Sequence, residues 1–170
     1  IELGTTIFTK VGRGNKYSSL TPRENDLIKF FSEEVSSVVC NSSNTGNISL
    51  DISAGVTCGS GILMVSIDCQ GDVFPCHLLH RPEFKIGNIL VQPNLIQMLQ
   101  DSDVAKLFRE RTVENRKCHG CEVEHFCKGG CLAHTMATNS KSVDPWKEKD
   151  PFCAVHRAIL GTQLWNTASK

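Results

Sequence analysis

Apolar positions along the first forty residues follow two patterns, separated by a polar stretch. Residues 3–11 (LGTTIFTKV) are a short apolar run and predict a strand, and residues 12–19 (GRGNKYSS) predict a glycine-containing loop. Residues 22–38 predict an amphipathic helix, which Thr21 and Glu24 would open with a capping box. The apolar residues at helical spacing in this helix are Leu27, Ile28, Phe31, Val35 and Val38. We expect this stripe to face the core.

After residue 40 the apolar pattern predicts shorter elements. Residues 61–76 predict a β-hairpin, in which GILMVSID and VFPC are the arms and CQGD is the turn. The stretch FKIGNI predicts a further short strand. Residues 94–113 predict one or two helices, with a break near residues 101–103 where Ser102 or Asp103 could cap the second. A last helix is predicted to start at the segment PFC. Together these elements indicate an α+β fold.

The charge balance excludes some classes of partner. The chain has 18 Lys and Arg against 18 Asp and Glu, so it lacks the basic excess that nucleic-acid or anionic-membrane binding needs. No apolar run approaches the roughly 20 residues of a membrane-spanning helix. The first residues also lack the basic start and apolar stretch of a signal peptide. We therefore expect a cytoplasmic protein without nucleic-acid or membrane partners and, because the chain starts with Ile1, a piece of a longer protein.

The cysteine content is the unusual feature of the composition. Nine cysteines cannot all pair with one another as disulfides, because nine is odd. They are Cys40, Cys58, Cys69, Cys76, Cys118, Cys121, Cys127, Cys131 and Cys153. Without a secretion signal, clustered cysteines indicate metal ligands in a reducing compartment rather than a secreted disulfide domain.

The spacing of seven of these cysteines narrows the kind of metal site. Four lie in fourteen residues, as Cys118-x2-Cys121-x5-Cys127-x3-Cys131. The preceding ones are Cys58 and the Cys76 of a Gly-x4-Cys stretch, GDVFPC, and Cys153 follows. A CxxC turn aims two thiolates to one side, and a cubane cluster needs four converging thiolates. Eight ligands would serve two clusters, and seven would leave one cluster a ligand short.

This order of cysteines resembles the SPASM domain, the C-terminal extension of radical S-adenosylmethionine enzymes that mature peptides and proteins. The stretches GDVFPC and FKIGNI resemble the hairpin of that family and the short strand after it. The resemblance implies that residues 1–40 are the end of a partial α/β barrel with its linker helix. It also implies a small irregular SPASM domain at residues 41–160, with a β-hairpin and short helices, and the end of a C-terminal helix at residues 161–170.

The resemblance further implies two auxiliary [4Fe–4S] clusters with interleaved ligands. The second cluster would be held by Cys118, Cys121, Cys127 and Cys153. The ligands of the first would be Cys58, Cys76 and Cys131, so Cys131 would leave its three sequence neighbours. The fourth position of the first cluster stays open to three alternatives, which are an open iron, Cys69 and Cys40. Gly129 and Gly130 suit a chain that turns sharply between the two clusters.

As an enzyme, the parent protein implied by the resemblance modifies a peptide or protein substrate. This chain lacks the Cys-x3-Cys-x2-Cys motif, so S-adenosylmethionine and a third [4Fe–4S] cluster would belong to an upstream core, and no catalytic residue is assigned here. The implied partners are the peptide or protein substrate and an electron donor such as a flavodoxin or ferredoxin.

Two other functions remain open from the residues. One is a structural zinc module in protein interaction, with Cys118, Cys121, Cys127 and either Cys131 or Cys153 around one Zn²⁺. It leaves Cys58, Gly71 and Cys76 unexplained. The other is a ferredoxin-like electron-transfer domain, which leaves the barrel-like start of the chain without a purpose.

Overall fold

The computed structural model describes residues 8, 10–34 and 58–168, with the side chains of residues 33, 34, 162, 163 and 165–168 excepted. Most of the predicted strand at residues 3–11 lies outside these ranges, as do the end of the predicted helix at 22–38 and Cys40. The chain divides into two compact units. The terminal unit comprises residues 1–57 and 116–170, and the middle unit comprises residues 58–115.

The start of the terminal unit differs from the sequence prediction in two ways. The expected loop forms a 3-10 helix, Gly12–Leu20, which is interrupted at Tyr17. Helix α1, Glu24–Lys29, begins two residues later than predicted and continues as a wider π-type turn, Phe30–Glu34. The predicted capping box is wrong, because Glu24 is then the first helical residue instead of the third. Thr21 Oγ1 is buried and makes no hydrogen bond with the described residues.

The middle unit contains a three-stranded antiparallel sheet in the order β1 (Ser66–Ile67), β2 (Asp72–Phe74) and β3 (Gly87–Asn88). The predicted hairpin and the following short strand are therefore confirmed. The Asp68 carboxylate shapes the turn, since its Oδ1 accepts hydrogen bonds from the backbone N–H groups of Gln70 and Asp72, both at 2.9 Å.

The first hairpin arm is shorter than predicted. Gly61 adopts a left-handed φ of 68°, and its N–H donates to the Met64 carbonyl at 2.9 Å. This bond closes a turn, so the first part of GILMVSID is not a strand. The same Gly61 N–H also donates to the Pro75 carbonyl at 3.1 Å, which ties this turn to the chain just before Cys76.

Two short helices cover the sheet of the middle unit. They are α2, Leu95–Asp101, and α3, Asp103–Arg109. Ser102 separates them and caps α3, because its Oγ accepts a hydrogen bond from the Ala105 N–H at 3.3 Å, as the sequence predicts. The buried apolar side chains of this unit include Val73, Phe74, Leu79, Phe84, Met98, Ala105 and Phe108. Each large one contributes about 1.5–3 kcal/mol by leaving water.

The rest of the terminal unit is helical and carries the remaining candidate ligands. Its helices are α4 (Glu124–Cys127), α5 (Leu132–Thr138) and α6 (Cys153–Ala168), with a 3-10 turn at Pro145–Lys147. Leu27 of α1 packs in a core cluster with Phe152 and Val155, and Ile28, Phe31 and Ile159 surround it. The predicted apolar stripe is thus confirmed for the part of α1 that the structure describes, and it faces the start of α6.

Mixed helices and a small antiparallel sheet confirm the α+β class. The partial barrel, and the domain limits at residues 40 and 160, stay predictions. None of the helices in the described ranges has both the length and the apolar character needed to cross a bilayer.

Candidate metal centre

Four cysteines of the terminal unit line one pocket. They are Cys118, Cys121, Cys127 and Cys153. Within the described ranges, no three or more His, Cys, Asp or Glu side chains close around a single metal-ion position. The four cysteines thus border one shared pocket.

Local turns bring the first two cysteines together. The Cys121 N–H donates to the Cys118 carbonyl at 3.2 Å, so the CxxC segment folds back on itself. Gly120 stands between them with a left-handed φ of 84°, and its N–H donates to Glu124 Oε2 at 2.5 Å. The Glu124 N–H in turn donates to the Cys121 carbonyl, which starts α4. This short helix then ends at Cys127, on the lining of the same pocket.

The turn after Cys127 has an unusual backbone. Lys128, Gly129 and Gly130 are all left-handed, with φ values of 49°, 76° and 66°. A Cβ atom on Gly129 would lie 1.6 Å from Arg116 Nη1, and one on Gly130 would lie 2.6 Å from Asp150 Oδ2. Both positions therefore require glycine, for their backbone conformation and for lack of space. The predicted sharp turn at Gly129 and Gly130 is confirmed.

Two buried charged side chains hold this turn from its two ends. Arg116 Nη1 donates to the Gly129 carbonyl at 2.6 Å, and Nη2 donates to the Glu148 carbonyl at 2.7 Å. Asp150 Oδ2 accepts from the Cys131 N–H at 2.6 Å, and Oδ1 accepts from the Phe152 N–H at 2.7 Å. Asp150 thereby joins the end of the turn to the start of α6, which carries Cys153.

The thiols of the pocket influence one another electrostatically. Burial raises the pKa of the Cys127 thiol, and hydrogen bonds from the backbone N–H groups of Gly129 and Gly130 oppose that rise. Burial also raises the pKa of the Cys153 thiol; the Lys149 ammonium opposes this effect, and Cys121 and Cys118 add to it. Metal binding must therefore displace protons here, since thiolates and not thiols are metal ligands.

Cys131 occupies a different place from its sequence neighbours. Of the five cysteines between residues 116 and 168, it alone is not among the residues that line the pocket. It stands directly before α5, with its N–H bound to Asp150. Proximity in sequence would have placed it with Cys127, and the turn at residues 128–130 leads it elsewhere.

The remaining candidate ligands belong to the middle unit. Cys58 Sγ donates to Ser60 Oγ at 3.1 Å, and Cys76 is buried just after β2. The segments that carry them are joined by the Gly61 to Pro75 hydrogen bond. Cys69 is exposed at the hairpin turn. That Cys58 and Cys76 converge with Cys131 stays a prediction.

Sequence reasoning did not single out the charged residues around the pocket. Arg116, Glu124 and Asp150 are buried, and Lys149 and Arg157 also line the pocket. In a sequence such residues look like ordinary surface charges. Only the paired glycines, Gly129 and Gly130, hinted that something packs closely against this turn.

Comparison with known families identifies the class of this site. Residues 58–122 match the family model of SPASM, described as an iron–sulfur cluster-binding domain. The predicted resemblance to the SPASM domain is therefore confirmed over these residues. The matched segment contains Cys58, Cys76, Cys118 and Cys121, while the other three predicted ligands follow it.

The curated proteins that the chain is similar to are maturation enzymes. The chain is 31% identical over 96 residues to mycofactocin maturase MftC of Mycolicibacterium smegmatis. The matched region covers 56% of this chain and 23% of that protein. The chain is also 30% identical over 83 residues to the serine-type anaerobic sulfatase-maturating enzyme of Klebsiella pneumoniae. This second match covers 49% of this chain and 20% of that enzyme. The chain thus spans about a quarter or less of the length of these relatives.

A solved structure shares the fold over almost the whole chain. It is described as native anSMEcpe with bound AdoMet and Cp18Cys peptide, and it superposes with a TM-score of 0.60 at 17% identity. The match covers 99% of this chain and 49% of that one. At this identity the likeness concerns the fold.

Proposed function

We propose that this chain is the auxiliary-cluster region of a radical S-adenosylmethionine enzyme that modifies a peptide or protein. The observation that carries the proposal is the pocket lined by Cys118, Cys121, Cys127 and Cys153. Its four thiols provide one ligand for each iron of a [4Fe–4S] cubane. The similarity to two kinds of maturation enzyme supports the same assignment.

Two [4Fe–4S] clusters are proposed, with the ligand sets that the family resemblance implies. The four cysteines of the pocket would hold the second cluster, and Cys58, Cys76 and Cys131 would hold the first. The absence of Cys131 from the pocket lining supports this division. When bound, such clusters supply one-electron transfer at potentials that the surrounding protein sets.

The residues around the pocket have separate tasks in this proposal. The CxxC turn and α4 present three thiolates from one continuous segment, and the start of α6 adds the fourth. The N–H groups of Gly129 and Gly130 stabilise negative charge on Cys127. Lys149 lines the pocket as a cation and offsets part of the negative charge of the four thiolates.

The remaining parts of the proposal concern the whole protein. Residues 1–40 would be the end of the barrel and its linker, residues 41–160 the auxiliary-cluster domain, and residues 161–170 the end of the last helix. S-adenosylmethionine and a third [4Fe–4S] cluster would belong to a core outside these 170 residues. The partners would be a peptide or protein substrate and an electron donor such as a flavodoxin or ferredoxin, in the cytoplasm.

The stoichiometry of iron tests the proposal against the zinc alternative. Anaerobically reconstituted protein should contain about eight irons and eight sulfides per chain, because each cubane holds four of each. Iron, sulfide and zinc analysis together with the absorption spectrum measures this directly. A colourless protein with one zinc and no iron would instead establish the zinc module.

The exposed Cys69 thiol is expected to be dispensable, since we propose an open iron at the fourth position of the first cluster. Cys69→Ser should retain full iron content and an unchanged electron paramagnetic resonance spectrum, and so should Cys40→Ser. Added cysteine should perturb the signal of the first cluster, because a free iron site accepts an external thiolate. If either serine variant loses four irons, that cysteine is the eighth ligand and the open site is disproved.

A further inference from the structure

Arg116 is a buried cation placed behind the turn that follows Cys127. Arg116 is only 6% exposed to solvent. Nη1 donates to the Gly129 carbonyl at 2.6 Å and more weakly to the Lys128 carbonyl at 3.5 Å. Nη2 donates to the Glu148 carbonyl. The guanidinium thus faces the oxygen ends of two successive peptide groups of one turn.

The same two peptide groups belong to a turn that borders the pocket, since Gly129 lines it beside Cys127 and the Gly130 N–H donates to the Cys127 carbonyl at 3.1 Å. The Lys128 carbonyl shares a peptide group with the Gly129 N–H, and the Gly129 carbonyl shares the next one with the Gly130 N–H. Both N–H groups oppose the rise that burial causes in the pKa of the Cys127 thiol. A peptide group is planar and strongly dipolar. Each one therefore connects the Arg116 charge to the sulfur of a candidate ligand.

We propose that Arg116 raises the reduction potential of the cluster held by Cys118, Cys121, Cys127 and Cys153, acting through these two peptide groups. The inference rests on the proposed function, since it needs a cluster in that pocket. Reduction adds negative charge, so donors and cations near the thiolate sulfurs favour the reduced state. A guanidinium that polarises the peptide carbonyls strengthens their N–H groups as donors, because hydrogen bonds in a chain reinforce one another. Arg116 is a positioning residue in this scheme and does not touch the cluster.

Alternatively, Arg116 acts only as a structural latch, which joins two segments of the chain without influencing the cluster electrostatically. Arg116 also binds the Glu148 carbonyl, so it joins two segments of the terminal unit, and its loss affects their packing. The reduction potential separates the two roles, because a latch changes cluster content or lability and leaves the potential of intact clusters alone.

The experiment compares three variants with the wild-type chain after anaerobic reconstitution. Arg116→Gln removes the charge, and Arg116→Lys keeps the charge but loses the planar fork. Arg157→Gln is the matched control, since Arg157 lines the same pocket but is exposed and donates to Glu122 at 2.7 Å. Potentials are measured by redox titration followed by electron paramagnetic resonance, with iron content determined on the same samples.

Arg116→Gln should lower the equilibrium constant for reduction of this cluster about tenfold. For a one-electron couple this makes the reduction potential roughly 59 mV more negative. Arg116→Lys should shift it less, and Arg157→Gln should shift it least because its charge is screened by water. An unchanged potential in Arg116→Gln at full iron content overturns the proposal. So does an equal shift in Arg157→Gln, or loss of this cluster in both Arg116 variants. Failure of the proposed function is distinguishable, because wild-type protein would then lack the iron and the signal.

Discussion

Replacing Gly130 by alanine is expected to disrupt strongly the turn between Cys127 and Cys131. The new methyl group would lie 2.8 Å from the Asp150 Cβ and 2.6 Å from its Oδ2, at a left-handed φ of 66°. The Asp150 Cβ cannot move away unless the backbone that leads to Cys153 moves with it. We expect a loss of about 3 kcal/mol or more, from the left-handed strain and from weakened hydrogen bonds to a buried carboxylate. Thermal unfolding of the reconstituted chain and its retained iron measure the effect.

Gly120→Ala is the matched control for this prediction. Gly120 has a comparable left-handed φ of 84°, and a Cβ atom there would meet no atom within 4 Å. Its substitution therefore introduces the backbone strain alone, about 1–2 kcal/mol. Equal destabilisation in the two variants would mean that Asp150 yields easily and that contact with it does not constrain the turn.

Local spacing made part of this site predictable. Cys118, Cys121 and Cys127 line one pocket because a CxxC turn and a single helical turn connect them, and both follow from short-range sequence. The cap at Ser102 and the hairpin turn were predictable for the same reason. The turn was predicted over residues 69–72, and a hydrogen bond from the Gly71 N–H to the Asp68 carbonyl closes it one residue earlier. In each case the relevant hydrogen bonds join residues that are close in the chain.

Long-range contacts determine the parts of the site that the sequence pattern did not predict. The convergence of Cys153 on the pocket was expected from the family resemblance, since the 25 residues between Cys127 and Cys153 carry no local signal for it. Arg116 and Asp150 could not be foreseen, because their partners are backbone atoms 13 and 19 residues further along or back in the chain. The first hairpin arm was overestimated because an apolar run, GILM, obscured the turn that Gly61 makes.

The turn at residues 128–130 bears on how the two proposed clusters divide the cysteine ligands between them. It follows Cys127, whose side chain lines the pocket, and precedes Cys131, whose side chain does not. Asp150 fixes the far end of the turn by binding the Cys131 N–H. A chain that reverses direction within three residues can therefore send two nearby thiolates to different places.

Cys131→Ala and Cys153→Ala are accordingly expected to damage different clusters. Each variant should fall from about eight irons to about four, because a cubane that loses a thiolate from its ligand set becomes labile. Cys153→Ala should remove the electron paramagnetic resonance signal that Cys121→Ala also removes. Cys131→Ala should instead remove the signal that depends on Cys76, and the four variants should fall into two pairs.

Cys69→Ala serves as the control for this series, since it deletes an exposed thiol from the hairpin turn and should leave both signals intact. The double variant Cys131→Ala/Cys153→Ala should lose both clusters, whereas Cys131→Ala/Cys76→Ala should keep the one in the pocket. If Cys131→Ala and Cys153→Ala remove the same signal, both cysteines serve one cluster. The ligands then follow sequence proximity, and the turn at residues 128–130 does not separate two sites.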